Sequence, residues 1–422
     1  HRLVEPVPGG GGGVPVRVGI VEGAQALTFS AGSPFVVRAQ GAVQGILPAG
    51  LWEMRLEGAS LALYGPEGTR RAFSEAELRF ELEQENATWI LYDLSAGSGY
   101  FWARREDRQL RGDLVVLLRG GTFTVVNVLD IEAYLLAVVP SEMSFTMPME
   151  ALKAQAIAAR TYTLRALGGR YASRGFDVLG DVASSAYRGV DAEHARTTEA
   201  VLSTTGLVLT YRGGLAETYY HASAGGHTAS SEEVWGGRRE YLRGVPEWGG
   251  DEGSVKFPLS PGALERWLRQ IPDVYSSRAG HAILGTFRWV HRVSAEEIRQ
   301  RVERTRSIGA ITRIVPLERG EAGHVRSVRI EGTQGSYVVT GDAIRSTLGG
   351  LKSNTFKVET FLGRDGLPDS FLFIGAGFGH GVGLSQLGAA GMAEAGYTAE
   401  EILRHYFPGT TLAPDYNRRR AS

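Results

Sequence analysis

The run Phe378-Gly-His-Gly-Val-Gly-Leu-Ser-Gln-Leu-Gly388 constrains this chain more than any other stretch. Glycine reaches backbone angles closed to other residues and lets a neighbouring chain or ligand come close. So many glycines would weaken a regular strand. The run is expected to form a tight loop that brings His380 and Gln386 to a surface. A Gly-rich turn around a buried, hydrogen-bonded histidine is the competing reading. A second cluster far upstream adds weight to the first: Val139-Pro-Ser-Glu-Met143, followed by Ala151-Leu-Lys-Ala-Gln-Ala-Ile-Ala-Ala-Arg-Thr-Tyr162.

Composition narrows the function classes. The 422 residues are 43% hydrophobic and 22% charged, enough for more than one packed core. The net charge of −1 leaves no cationic excess for a nucleic-acid backbone, and no polybasic tail suits an anionic membrane. No apolar run approaches the roughly 20 residues of a membrane span. The absence of cysteine removes disulfides, thiolate nucleophiles and cysteine-based zinc sites. The Pro8–Pro15 stretch, nearly all glycine, reads as a flexible leader over residues 1–13, following a removed signal peptide.

Hydrophobic periodicity divides the rest. Residues 14–113 read as a β-rich domain, with strands near 14–21 and 87–93. A core beginning at 114 opens with strands near 114–118 and 122–128. Asp130 then caps a helix carrying Ile131, Tyr134, Leu135 and Val138 on one face, and Pro140 is expected to end it. Pro148 starts a second helix, which stops at Gly168-Gly169. Glu142 would then sit in a short link between two helices. Residues 238–368 read as an inserted α/β segment, with a helix around Ser294–Arg304 and hairpins from Val325 to Val339. Residues 369–422 complete the core, ending in a helix over Ala399–Tyr406. The fold class expected is α+β.

Few residues can carry chemistry. Apolar neighbours around Glu142 (Val138, Val139, Met143, Phe145) would raise its pKa by desolvation, as a general acid requires. A helix-terminal glutamate acting as a cap or ion-pair partner looks the same in sequence. Arg160 could orient a carboxylate or substrate, or close a structural ion pair. His221 and His227 have a spacing open to metal binding, with no third ligand nearby. No G-x-S-x-G elbow supports a serine hydrolase. Trp235, Trp248, Trp289, Tyr219, Tyr220 and Tyr241 could stack on sugars, although such aromatics more often pack cores.

Three ordered blocks resemble the SpoIID/LytB family. They are Val126–Tyr162 with the Pro-Ser-Glu-Met turn, Tyr220-His-Ala-Ser-Ala-Gly-Gly-His-Thr228 with Val234-Trp235 and Tyr241–Val245, and Gly379–Ala389 with Ile402–Gly409. The resemblance implies an extracytoplasmic lytic transglycosylase that acts on peptidoglycan strands stripped of their peptides, with Glu142 as acid/base. It implies a glycan-binding cleft involving Arg160, Tyr162, Tyr187, Tyr220, His221, Ser223, Gly225, Gly226, His380, Gly381, Gly383, Ser385 and Gln386. It calls for no cofactor. Some relatives hold zinc on one histidine and two cysteines after the catalytic helix. Tyr171–Tyr187 here contains neither residue, so no metal is expected. Ala222 and Ala224 replace hydroxyl residues usual in the second block. LytB-like members imply the alternative: a wall-binding protein that stimulates a cell-wall amidase.

Overall fold

Two sheets, antiparallel except for one short parallel strand at 178–179, stack on one core built mainly from the first 130 residues. The computed structural model describes residues 13–96, 104–181, 186–248, 255–280 and 284–414. The expected leader therefore lies outside the described residues, save for Gly13. One sheet has seven strands, in the order 178–179, 15–24, 122–130, 113–119, 77–82, 35–39 and 42–47. The other has six, in the order 104–110, 89–96, 26–31, 50–57, 60–64 and 70–73. Alternating side chains face inward, as the two-residue strand period requires. Phe35 sits between Trp52 and Trp89, with ring centroids 5.6 and 5.3 Å away. Burying each such ring contributes on the order of 1.5–3 kcal/mol. The sheet continues through the 113/114 boundary drawn from sequence, because strand 113–119 pairs with 77–82 and strand 122–130 with 15–24.

Helix α1 (Ile131–Glu142) leaves the end of strand 122–130 directly, with the Asp130 carboxylate accepting from the Glu132 N–H at 2.8 Å. Ile131 through Val139 are all buried, so the helix is enclosed rather than laid on a surface. Pro140 does not end it. Ser141 Oγ donates to the Ala137 carbonyl at 2.6 Å, and the Met143 N–H reaches Val139 O at 2.9 Å. One more turn therefore survives, and Glu142 is the last helical residue rather than part of a loose link. Proline removes the one N–H that would have met the Leu136 carbonyl, and the Ser141 and Met143 bonds hold the turn that follows.

Helix α2 (Met149–Ala166) packs through its small alanine-rich face against α1 and α3 (Ala195–Leu202). It also meets two helices from the far end of the chain, Gln386–Glu394 and Ala399–Tyr406. Residues 288–376 build a third core around Ile298, Val302, Ile330 and Phe371. It contains the sheets 288–294/368–376/356–362 and 311–319/325–332/335–340. The 295–303 helix, the 325–340 hairpin and the 399–406 helix agree with the periodicity reading. The architecture is α+β. No described helix is long and apolar enough to cross a membrane.

Candidate active site

The rigid strand-to-helix joint at Asp130 and the buried length of α1 deliver Glu142 to a fixed place. Its Oε1 accepts a hydrogen bond from the Ala186 N–H at 2.7 Å. Burial raises the carboxyl above the usual glutamate range. The Ala186 N–H, the Gln386 amide and the positive charge of Arg188 pull the other way without cancelling that effect. The group is thus biased toward its protonated form while two N–H donors wait for the carboxylate.

The Gly-rich run reaches this carboxyl from more than 200 residues downstream. Strand Leu384–Ser385 pairs in parallel with Tyr220–His221. Ser223 and Phe378 exchange backbone bonds of 3.1 and 2.8 Å. Gly379 has φ +107°, and a Cβ there would lie 2.8 Å from that of His221. Gly383 has φ +76°, and its Cβ would strike the Tyr219 carbonyl. Only glycine fits such a double backbone approach. Ser385 Oγ accepts from the N–H groups of Gly388 (3.3 Å) and Ala224 (3.1 Å). It caps the following helix and ties the two loops together. Gln386 is the first residue of that helix and is buried, not presented at a surface as expected. Its amide lies close enough to the Glu142 carboxyl to lower its pKa, and it donates to Gln155 Oε1 at 3.2 Å. The second and third blocks therefore converge on Glu142.

Aromatic rings form one wall. His380 lies 5.1 Å from Trp235, 5.3 Å from His221 and 6.2 Å from Tyr219. Tyr162 meets Tyr219 and Tyr220 edge-on. The charge of Glu142 is felt at the half-buried Tyr162 phenol, whose pKa is raised mainly by burial. Trp235 is 43% exposed and offers the open ring face. Both histidines are neutral at ordinary pH. Burial holds His221 well below its usual value and His380 at about 4. His221 Nδ1 bonds the Val382 carbonyl at 3.2 Å, and the Val382 N–H donates to His380 Nδ1 at 3.1 Å. They hold the loop as hydrogen-bonding groups, not as cations.

Other expected cleft residues are placed in the scaffold. Arg160 is 0% exposed, and its guanidinium makes a two-pronged pair with Glu132 at 2.9 and 2.7 Å. It also donates to the carbonyls of Val201 and Leu207. The pair joins α1, α2 and α3, and no donor is left to face a sugar. Tyr187 is buried, with its hydroxyl on Asn127 Oδ1 at 2.7 Å. Ser223, Gly225 and Gly226 shape the turn beneath the Gly-rich loop, where Ser223 Oγ accepts from the Gly225 N–H. Gly381 packs over Ala229. Trp289 donates to the Gly377 carbonyl at 2.9 Å, and Tyr241 is buried. His227 Nδ1 bonds its neighbour's carbonyl, that of Thr228. Among the described residues no three His, Asp or Glu side chains cluster closely enough to hold a metal ion.

Sequence reasoning missed two buried groups. Gln155 links α2 to Gln386. Glu247 is fully buried and accepts from the Gly226 N–H (3.0 Å), the Tyr406 hydroxyl (2.8 Å) and Ser276 Oγ. Glu247 locks the 223–229 turn to the closing helix. Neither had a local signal, since one looks like an ordinary helix residue and the other like a loop acid.

This arrangement of a buried carboxyl, two converging loops and an aromatic wall is carried by a chain that belongs to the SpoIID family. The family model described as stage II sporulation protein matches residues 119–211, which hold Glu142. A domain of unknown function matches 229–383. Stage II sporulation protein D of Bacillus subtilis is 30% identical over 307 residues, covering 68% of this chain and 76% of that protein. An uncharacterized protein of Brachyspira hyodysenteriae is 30% identical over 311 residues, 73% of each chain. The amidase enhancer of Bacillus subtilis is 29% identical over 301 residues, 65% of this chain but only 39% of that protein.

Proposed function

We propose that this chain is an extracytoplasmic lytic transglycosylase that cleaves peptide-free peptidoglycan strands, with Glu142 as general acid and then base. The supporting observation is a carboxyl biased toward protonation, with no second carboxylate acting on it among the described residues and carboxylate-stabilising donors already in place. A conventional glycosidase needs a second carboxylate as nucleophile or base. The charge acting on Glu142 is that of Arg188, and among the described residues no second carboxylate shifts it. A transglycosylase requires none. Glu142 gives its proton to the glycosidic oxygen, and the bond from that oxygen to the muramic anomeric carbon breaks. The sugar's own 6-hydroxyl closes on that carbon, and the Glu142 carboxylate takes the hydroxyl proton. Intramolecular attack has the entropic advantage of a held reactant. Ala186 N–H and the Gln386 amide stabilise the carboxylate between the two proton transfers. Trp235 and Tyr162 provide the sugar-facing wall.

The likeness to an amidase enhancer favours a second reading, in which the cleft binds strands without cutting them and a wall amidase is the partner. Mass spectrometry of peptide-free strands incubated with the chain and with Glu142→Gln separates the two. Anhydro-muramic ends made by the native chain and absent with the variant support the enzyme. Intact, bound strands together with amidase stimulation that survives the substitution support the enhancer. Reducing ends would mean hydrolysis and would refute both.

A further inference from the structure

The Gln386 amide has two N–H donors and one acceptor oxygen, and only one end of it suits a carboxylate. Nothing about Gln386 alone selects that end. Gln155, on α2, does. It is 0% exposed, and its Oε1 accepts from Gln386 Nε2 at 3.2 Å. Turning Gln155 over would set two amide donors against each other. Turning Gln386 over would set its oxygen against both Gln155 Oε1 and the carboxylate. The cost of the observed arrangement is visible, because Gln155 Nε2 is buried with no hydrogen-bond partner among the described residues. Buried donors are rarely left unmade, and those that are call for an explanation.

We propose that Gln155 is a positioning residue whose Oε1 fixes the Gln386 amide with its nitrogen toward Glu142. The carboxylate formed after proton transfer then always meets a donor and never a lone pair. This rests on the reading of Glu142 as acid/base. Among the described residues the other charged or titratable groups coupled to Glu142 are Arg188, two residues from Ala186, and Tyr162 on α2.

The test is a titration of the Glu142 carboxyl by 13C NMR in the full chain, with Glu142→Gln locating its signal. Gln155→Met keeps volume and removes the acceptor. Gln155→Asn keeps polarity and cannot span the bond, which covers the case where the first variant does not fold. Either should raise the titration by about one pH unit, the effect of losing one charge-assisted hydrogen bond. If the chain cuts strands, kcat should fall about tenfold with KM unchanged, as for an interaction made only in the transition state. In a Gln386→Met background the Gln155 substitutions should add no further shift. An unshifted titration in a folded Gln155 variant overturns the proposal, and so does a full extra shift in the Gln386→Met background. The titration reads Glu142 whether or not strands are cut. Failure to cleave with the shift intact would therefore refute the transglycosylase reading and leave the positioning role standing.

Discussion

Arg160→Met should destabilise this protein rather than empty its cleft. The guanidinium is wholly enclosed and Glu132 is 5% exposed, so the substitution leaves an unpaired carboxylate in a dry interior. It also strips the Val201 and Leu207 carbonyls of a donor. Breaking a buried pair by removing one partner costs about 3–5 kcal/mol, whereas replacing both with apolar residues is often near neutral. The core transition should therefore fall by roughly 10 °C in Arg160→Met. Most of that should return in Glu132→Leu/Arg160→Met. Thermal and urea unfolding of the two variants beside the native chain give the coupling directly. A single variant that keeps native stability but no longer binds glycan would refute this placement and restore Arg160 to the cleft.

Three further outcomes follow from the same geometry. Gly388→Ala should cost about 3 kcal/mol, since its methyl would strike the Tyr406 hydroxyl and the buried Glu247 carboxylate; urea unfolding within 0.5 kcal/mol of native would count against the clamp. Trp235→Ala should raise KM for glycan strands about tenfold with little change in kcat, from loss of one stacking face; unchanged KM would mean the exposed ring meets no sugar. Burial holds His324 at about 4 against a usual 6.5, so the unfolded chain takes up the proton first. Stability should therefore be lost as pH falls from 6.5 toward 4, by about 3 kcal/mol for this histidine. His324→Leu should flatten that part of the acid-unfolding profile, and an unaltered profile would show that the imidazole is not buried neutral.

The helices at 131–142, 149–166, 295–303 and 399–406 were legible in sequence because caps, apolar period and breakers act within a few residues. Glu142 was legible for a related reason: its apolar neighbours along the chain already implied desolvation. The exit of α1 differs from the expected stop at Pro140 because that proline costs a single N–H bond, and the bonds of Ser141 and Met143 keep the last turn closed. The role of Arg160 could not be read locally, since its partner Glu132 lies 28 residues away on another helix. An arginine suited to a carboxylate is equally suited to a sugar until packing shows which one it meets.

The sequence by itself determined the elements, the unusual glycine density of the closing loop and the apolar setting of Glu142. Those properties depend on near neighbours in the chain. Only the tertiary structure decided which polar groups gather around Glu142 and which hold the scaffold. It brings residues 186 and 386 to the Glu142 carboxyl with Gln155 behind Gln386, and sets Glu247 between the 223–229 turn and the last helix. Those contacts join residues as much as 244 positions apart, and burial, not residue type, assigns their roles.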